Sequence, residues 1–242
     1  YNYKKKGVRL CSLFLMVMKD TDSQKLVDFL SQFVTDVRLD LFRKNLEERT
    51  RYITVVLEDI YQPHNASAVL RSMDCFGVQD VHIIENFNEY RINPDVALGA
   101  SKWLNLIRYH QSDSNTREAI QHLRNQGYRI VATTPHQHDV MLPDFDLNSG
   151  KVALLFGTEM QGLSETALSM SDEFLRIPMF GFTESFNISV SAAIILYHLK
   201  LALSQSNIPW QLTREEKTDI LLDWLKKSIK RSDLLIQQFL SK

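Results

Sequence analysis

Apolar positions along this chain follow two alternating rhythms. Five short runs, 53–57, 81–84, 128–132, 152–156 and 174–177, are almost continuously apolar. Such runs between turn-forming segments predict strands buried on both faces. Between them the spacing changes to every third or fourth residue. Leu26, Phe29, Leu30, Phe33, Val34, Val37 and Leu41 predict a helix over 23–49. Further helices are predicted over 65–76, ending at Gly77, over 116–125, with Gly127 just past its end, over 165–170, and over the long apolar stretch 188–204. Strands alternating with helices predict an α/β domain with a mainly parallel sheet and helices on both faces. Ligands of such sheets collect at the carboxyl ends of the strands. Polar segments follow 53–57, 152–156 and 174–177, which makes those three the candidates for chemistry.

The pattern divides the chain into an N-terminal helical extension (1–51), the α/β domain (52–204) and a C-terminal helical extension (205–242). In the last, Thr213-Arg214-Glu215-Glu216 is a capping box. Ile220, Leu221, Trp224 and Leu225 form an apolar face that needs a cover, either helix 23–49 or another subunit. Lys226, Lys227, Lys230 and Arg231 stand at i, i+1, i+4 and i+5, predicting one basic stripe that either faces solvent or meets RNA. At the other end, Lys4-Lys5-Lys6 and the apolar run 10–18 imitate a short signal peptide, but Lys19-Asp20-Thr21-Asp22 lacks a small-residue cleavage pattern. With Met16 and Met18 both available as starts, residues 1–18 are expected to be non-native or disordered.

Composition changes the picture mainly through charge. The 242 residues are 44% hydrophobic and 24% charged, as in soluble globular proteins. The net charge of -1 conceals a division: residues 1–51 carry +4, residues 52–196 carry -8 and residues 197–242 carry +3. A polyanion would be held by the basic ends. Cys11 and Cys75 are far apart, which speaks against a disulfide framework and a cysteine-ligated metal and fits a reducing, cytoplasmic setting. No apolar run approaches the ~20 residues of a membrane span.

The first polar segment is Pro63-His64-Asn65-Ala66-Ser67-Ala68-Val69-Leu70-Arg71. Asn65 is a favourable N-cap residue. Arg71 lies six residues on, ~120° around a helix and ~9 Å along its axis, so the two can border one cleft without touching. His64, beside a proline, reads as structural. The second is Phe156-Gly157-Thr158-Glu159-Met160-Gln161-Gly162-Leu163-Ser164, where glycines let a ligand approach the backbone closely. It has no Lys-Ser/Thr to make a phosphate loop and no GxGxxG fingerprint. Glu159 suits a ribose hydroxyl or a guanidinium. The third runs Ile177-Pro178-Met179 and then Ser185-Phe186-Asn187-Ile188-Ser189-Val190 into the apolar helix. Ile177, Met179 and Phe186 offer apolar walls for a flat ring. Free N–H groups at the helix start offer donors.

These three motifs, in this order from about Tyr52 to Leu203, resemble the SpoU class of the knotted SPOUT RNA methyltransferases. The helix ending in Glu48-Arg49-Thr50-Arg51 and the helical tail resemble the class members that act on tRNA guanosine. The resemblance implies a C-terminal trefoil knot, S-adenosylmethionine as cofactor, a homodimer and no metal. It implies cofactor contacts from Thr133, Gly157, Ile177, Met179 and Phe186. Arg71 would be the key catalytic residue, with Asn65 positioning it or the ribose, and Glu159, Ser185 and Asn187 orienting the pocket. A guanidinium with a pKa above 12 is a poor base, so its safer role is to bind a phosphate and stabilise the incipient alkoxide. Arg49, Arg51, Lys226, Lys227, Lys230 and Arg231 become candidate phosphate contacts. The expected activity is 2′-O-methylation of a guanosine in the tRNA D-loop, at position 18. The alternatives are a ribosomal-RNA 2′-O-methyltransferase and a non-catalytic RNA-binding protein of the same fold. The family often has Leu where this chain has Phe186, which keeps an apolar wall.

Overall fold

The computed structural model describes residues 20–134, 140–159 and 161–241, so the expectation for residues 1–18 falls outside the described residues. In chain order the strands are β1 (Ile53–Glu58), β2 (Asp80–Ile84), β3 (Asn105–Tyr109), β4 (Arg129–Thr133), β5 (Val140–Met141), β6 (Val152–Phe156) and β7 (Glu173–Arg176). The helices are α1 (Asp20–Ser31), α2 (Asp36–Glu47), α3 (Pro63–Cys75), α4 (Pro94–Ala97), α5 (Asn115–Asn125), α6 (Glu165–Ser169), α7 (Ile188–Gln205), α8 (Arg214–Ser228) and α9 (Ser232–Leu240). They form two compact units, one of Arg49–Gln211 and one of the described residues in Tyr1–Glu48 and Leu212–Lys242.

The larger unit is built on one seven-stranded sheet of order β3-β2-β1-β6-β4-β7-β5. Every pairing in it is parallel, as the continuous apolar runs require. Alternation along each strand separates two cores. Val55, Leu57, Leu154 and Phe156 face a core with Val69, Leu70 and Met73 of α3 and Ile195, Leu196 and Leu199 of α7. Val56, Ala153 and Leu155 face the opposite core, closed by Ala119, Ile120 and Leu123 of α5 and Ala167 of α6. Helices therefore cover both faces. The strands also share one direction, which brings the loops after β1, β6 and β7 to a single edge.

Two strands that the apolar pattern does not predict, β3 and β5, are the two edges of this sheet. Four of the five β3 residues keep some exposure, so polar residues are tolerated there and no continuous apolar run develops. β5 is two residues long.

In the smaller unit, the single helix expected over 23–49 is two helices. Thr35 breaks it by adopting an extended backbone and accepting the Arg38 N–H at 3.4 Å, which starts α2 as an N-cap. The apolar face of α8 is covered from within the chain: Ile220, Trp224 and Leu225 are 2%, 2% and 0% exposed. Trp224 meets Phe42 of α2 edge-on at 5.6 Å, and Phe29 of α1 meets Phe239 of α9 at 5.3 Å. The capping box forms, with Thr213 N–H donating to Glu216 at 2.8 Å and Glu216 N–H to Thr213 at 3.2 Å. The expected basic stripe does not. α8 stops at Ser228, and Lys230 and Arg231 lie in the turn that follows, Arg231 with a left-handed φ of 57°. Lys227 instead pairs with Asp223 at 2.5 Å.

Candidate active site

Each of the three polar segments is fixed by its own local chemistry. Pro63 occupies the first turn of α3, where the missing N–H costs nothing. The N-cap is thus Gln62 and not Asn65. Released from capping, Asn65 lies inside the first turn with its side chain turned inward, 3% exposed.

The second segment closes on itself. Thr158 and Gly162 exchange backbone hydrogen bonds at 2.9 and 3.0 Å, and Gly162 holds a φ of +70°. Gly157 packs so tightly on this turn that a Cβ would lie 2.2 Å from the Gly162 carbonyl carbon and oxygen. The loop is anchored from below by Glu58, a buried carboxylate at the end of β1. Glu58 accepts the Ser164 N–H and hydroxyl at 2.9 and 2.7 Å and the Thr116 hydroxyl at 2.6 Å. Ser164 in turn caps α6 through the Ala167 N–H at 3.1 Å.

In the third segment Asn187 is the N-cap of α7. Its Oδ1 accepts the Ser189 N–H at 2.9 Å and the Ser189 hydroxyl at 2.6 Å. Its amide remains free to donate elsewhere, and it does so to Asn65.

Asn65 joins the three segments. Its Nδ2 donates to the Glu159 carboxylate, and to Gln62 at 3.3 Å, while its Oδ1 accepts from Asn187 Nδ2 at 3.1 Å. Residues 94 and 122 positions apart in the chain are thereby held in one line, Glu159–Asn65–Asn187–Ser189.

Beside this line opens a cavity of about 560 Å³. Thr133, Gly157, Ile177, Met179 and Phe186 all line it, together with Glu159, Ser185 and Asn187. Thr133 is held by its hydroxyl, which donates to the Leu155 carbonyl at 2.7 Å. Apolar walls come from Leu175, Ile177, Met179 and Ile195, and polar atoms from Thr134, Gln161, Glu184 and Ser191. The last four were not singled out in the sequence. Ser191 had a signal, since it stands four residues beyond Asn187 on the same helical face. Glu184 lies inside the third segment, and Thr134 adjoins Thr133.

Arg71 does not line this cavity. It is exposed on α3, with no hydrogen bond or ion pair among the described residues. Arg49 and Arg51 are not a surface pair. Arg49 is 4% exposed and bonded to Asp74, and Arg51 donates to Asp80 at 2.9 Å. Half-buried carboxylates, 28% and 14% exposed, pair with both guanidiniums. Among the described residues no group of three or more His, Cys, Asp or Glu side chains is arranged to hold a metal.

Comparison with known proteins gives this geometry a family. Residues 52–197 match the model of the SpoU rRNA Methylase family, a span that contains all three segments. A tRNA (guanosine(18)-2′-O)-methyltransferase of Borreliella burgdorferi is 42% identical over 211 residues, 87% of this chain and 94% of that protein. The crystal structure of the Aquifex aeolicus TrmH/SpoU tRNA modifying enzyme superposes with a TM-score of 0.71 at 28% identity, covering 81% of this chain and 98% of that one. The Streptomyces viridochromogenes methyltransferase AviRb, solved in complex with AdoMet, shares the fold at a TM-score of 0.56 and 23% identity, over 67% of this chain and 65% of its own. With its three motifs gathered at one edge of a parallel sheet and the family model spanning more than half its length, the chain belongs to the SpoU methylase family.

Proposed function

We propose that this protein is an S-adenosylmethionine-dependent tRNA 2′-O-methyltransferase acting on the D-loop guanosine at position 18. The observation that carries the reading is the hydrogen-bonded line Glu159–Asn65–Asn187, which ties three distant segments to the rim of one cavity. The similarity to the Borreliella enzyme, over most of both chains, supports the substrate.

The cavity suits the cofactor in size and chemistry. About 560 Å³ falls within the range of small-molecule sites. Ile177, Met179 and Phe186 would receive the adenine ring, and Thr133 and the Gly157 backbone the polar edges. The cofactor would supply an electrophilic methyl group on a sulfonium, with the ribose 2′-oxygen as its acceptor. The protein's share is positioning and charge. Asn65, locked between Glu159 and Asn187, is placed to orient the ribose. Glu159, Ser185 and Asn187 fix the rim. Arg71 carries the positive charge that the incipient alkoxide and an RNA phosphate both require.

That last role needs a second copy of the chain. Arg71 stands outside its own cavity, so we infer a two-fold dimer in which it serves the partner's. The helix layer that bears Arg71 supports this. α3 packs on α7, and Phe76 beyond α3 meets Tyr197 at 6.0 Å. α7 has a mean hydropathy of 1.3, and only 33% of it is buried. Val190, Tyr197 and Leu201 are 43%, 58% and 44% exposed along it. A second α7 would cover that strip. Phosphate contacts fall to Lys230 and Arg231, exposed in the turn after α8, and to Lys226 and Lys227 near them.

The test is methyl transfer from labelled cofactor to a tRNA transcript, with nucleoside mass spectrometry and a ribosomal-RNA fragment as control. 2′-O-methylguanosine at position 18 is the expected product. Labelling of the ribosomal fragment alone would replace the substrate, and no labelling of either would overturn the reading.

A further inference from the structure

Away from the cavity, two large aromatic side chains stand in solvent on neighbouring loops. Tyr61, before α3, is 72% exposed, and Phe87, after β2, is 93% exposed. Rings of this size are ordinarily among the more buried side chains. These two are also held on backbone that cannot swing freely. Asp59, two residues before Tyr61, accepts the N–H groups of Asn86, Phe87 and Asn88 at 2.7, 2.8 and 3.2 Å. Its second carboxylate oxygen accepts Asn86 Nδ2 at 3.0 Å, and its carbonyl accepts Asn88 Nδ2 at 2.9 Å. Asp59 is 7% exposed and has a φ of 52°, a conformation that a residue with a Cβ keeps only when its surroundings impose it. Both rings thus rise from one buried, hydrogen-bonded junction.

The junction adjoins the proposed reaction site. Gln62, the residue after Tyr61, accepts from Asn65. The far end of the Phe87 loop is tied to α3 by the Asn93 N–H on the Ser67 hydroxyl at 2.8 Å. Ser67 and Arg71 stand four residues apart, on the same face of α3. The Asn93 end of the Phe87 loop therefore lies about one helical turn from Arg71, and the loop carries the exposed Arg91, which pairs with an exposed Glu89 at 3.1 Å.

We propose that Tyr61 and Phe87 form a stacking platform for an unpaired RNA base beside the acceptor ribose. The inference rests on the function proposed above and deepens it. A 2′-hydroxyl inside a folded RNA loop is reached when its nucleotide or the neighbour is drawn from the stack, and aromatic faces receive such bases whatever their sequence. The strip assigned to a second copy lies on α7, a different element, which leaves these rings to the substrate.

The experiment compares steady-state methyl transfer to tRNA by the full chain and by Tyr61→Ala, Phe87→Ala, the double variant and Tyr61→Phe. The double variant is expected to raise the KM for tRNA about ten- to hundredfold. Its kcat at saturating tRNA and its cofactor affinity by calorimetry should be unchanged, and Tyr61→Phe should behave as wild type. If Phe87→Ala melts early, Phe87→Leu, which keeps an apolar chain without a ring face, takes its place with the same expectation. An unchanged KM in the double variant overturns the platform while leaving the enzyme's function standing. So does a double variant that sediments at half the wild-type mass, which would assign the rings to contact between copies. A wild-type protein that methylates no tRNA removes the function and the platform together.

Discussion

Asn65 is the residue on which the site turns, and its energetics are those of a buried amide with every partner spoken for. Truncating it leaves Glu159 and Asn187 without their shared partner. Both partners are exposed and can turn to water, so Asn65→Ala is expected to cost about 1 kcal/mol of stability, the net worth of an ordinary hydrogen bond. Methyl transfer should fall on the order of a hundredfold or more, the scale of losing one preorganised polar group. Denaturant unfolding and single-turnover kinetics read the two effects separately, and wild-type turnover in Asn65→Ala would remove it from the mechanism. Gly157 makes a sharper claim about the cavity. A methyl group there would collide with backbone at 2.2 Å, which no rotamer change relieves. Gly157→Ala must displace the Thr158–Gly162 turn, and cofactor affinity by calorimetry should weaken at least about tenfold, roughly 1.4 kcal/mol. The glycine-flanked loop and the motif resemblance place both residues in the site, but the partners of Asn65 are not legible in the sequence. Asn65 looked like a helix cap because capping is what Asn does locally; Pro63 takes over the helix start, and a partner 122 residues away supplies the other role.

At the scale of elements, legibility follows burial. β1 and β6 are buried along their whole lengths, so their apolar runs predict strands without ambiguity. β3 and β5 carry no such run because an edge has only one neighbour to satisfy. Arg49 illustrates the opposite error, since a charge at a helix end reads as surface, whereas its side chain is 4% exposed and paired with Asp74. One link between elements has a thermodynamic consequence. His82 of β2 is 2% exposed and shares the Tyr109 hydroxyl, at 2.8 Å, with His122 of α5, at 2.7 Å. Burial, reinforced by the neighbouring His122, pushes the His82 pKa down to about 4 from an ordinary 6.5. The folded state therefore resists a proton that the unfolded chain accepts. Stability is full above pH 6.5 and declines as pH falls towards 4, by on the order of 3 kcal/mol at the acid end. Urea unfolding between pH 7 and 4 should show this slope, and His82→Phe should flatten it. A slope that survives in His82→Phe would assign the acid sensitivity to other groups.

For the whole molecule, the open question is how a guanidinium outside its own cavity takes part in the reaction. Two arrangements are physically distinct. Either Arg71 acts within its own chain after a rearrangement of α3, or it reaches the cavity of a second copy. The first would require α3 to leave a core in which Val69, Leu70 and Met73 are completely buried, at several kcal/mol. The second requires only that the exposed strip of α7 be covered, which is favourable by roughly 25 cal/mol for each Å² of apolar surface removed from water. Mixing inactive chains separates the two. Arg71→Ala keeps an intact cavity and Gly157→Ala keeps an intact Arg71, so each protein alone should be nearly inactive when assayed at cofactor concentrations well below the weakened Kd. If Arg71 crosses to the partner, a mixed dimer regains one working site, and random re-pairing of equal amounts should restore about a quarter of wild-type activity. If Arg71 serves its own chain, no pairing unites a good cavity with a good arginine, and the mixture stays dead. A second variant, Leu201→Glu, places a charge in the strip and should yield monomers by sedimentation, inactive although their cofactor affinity is kept. Active monomers would show that the site is complete within one chain.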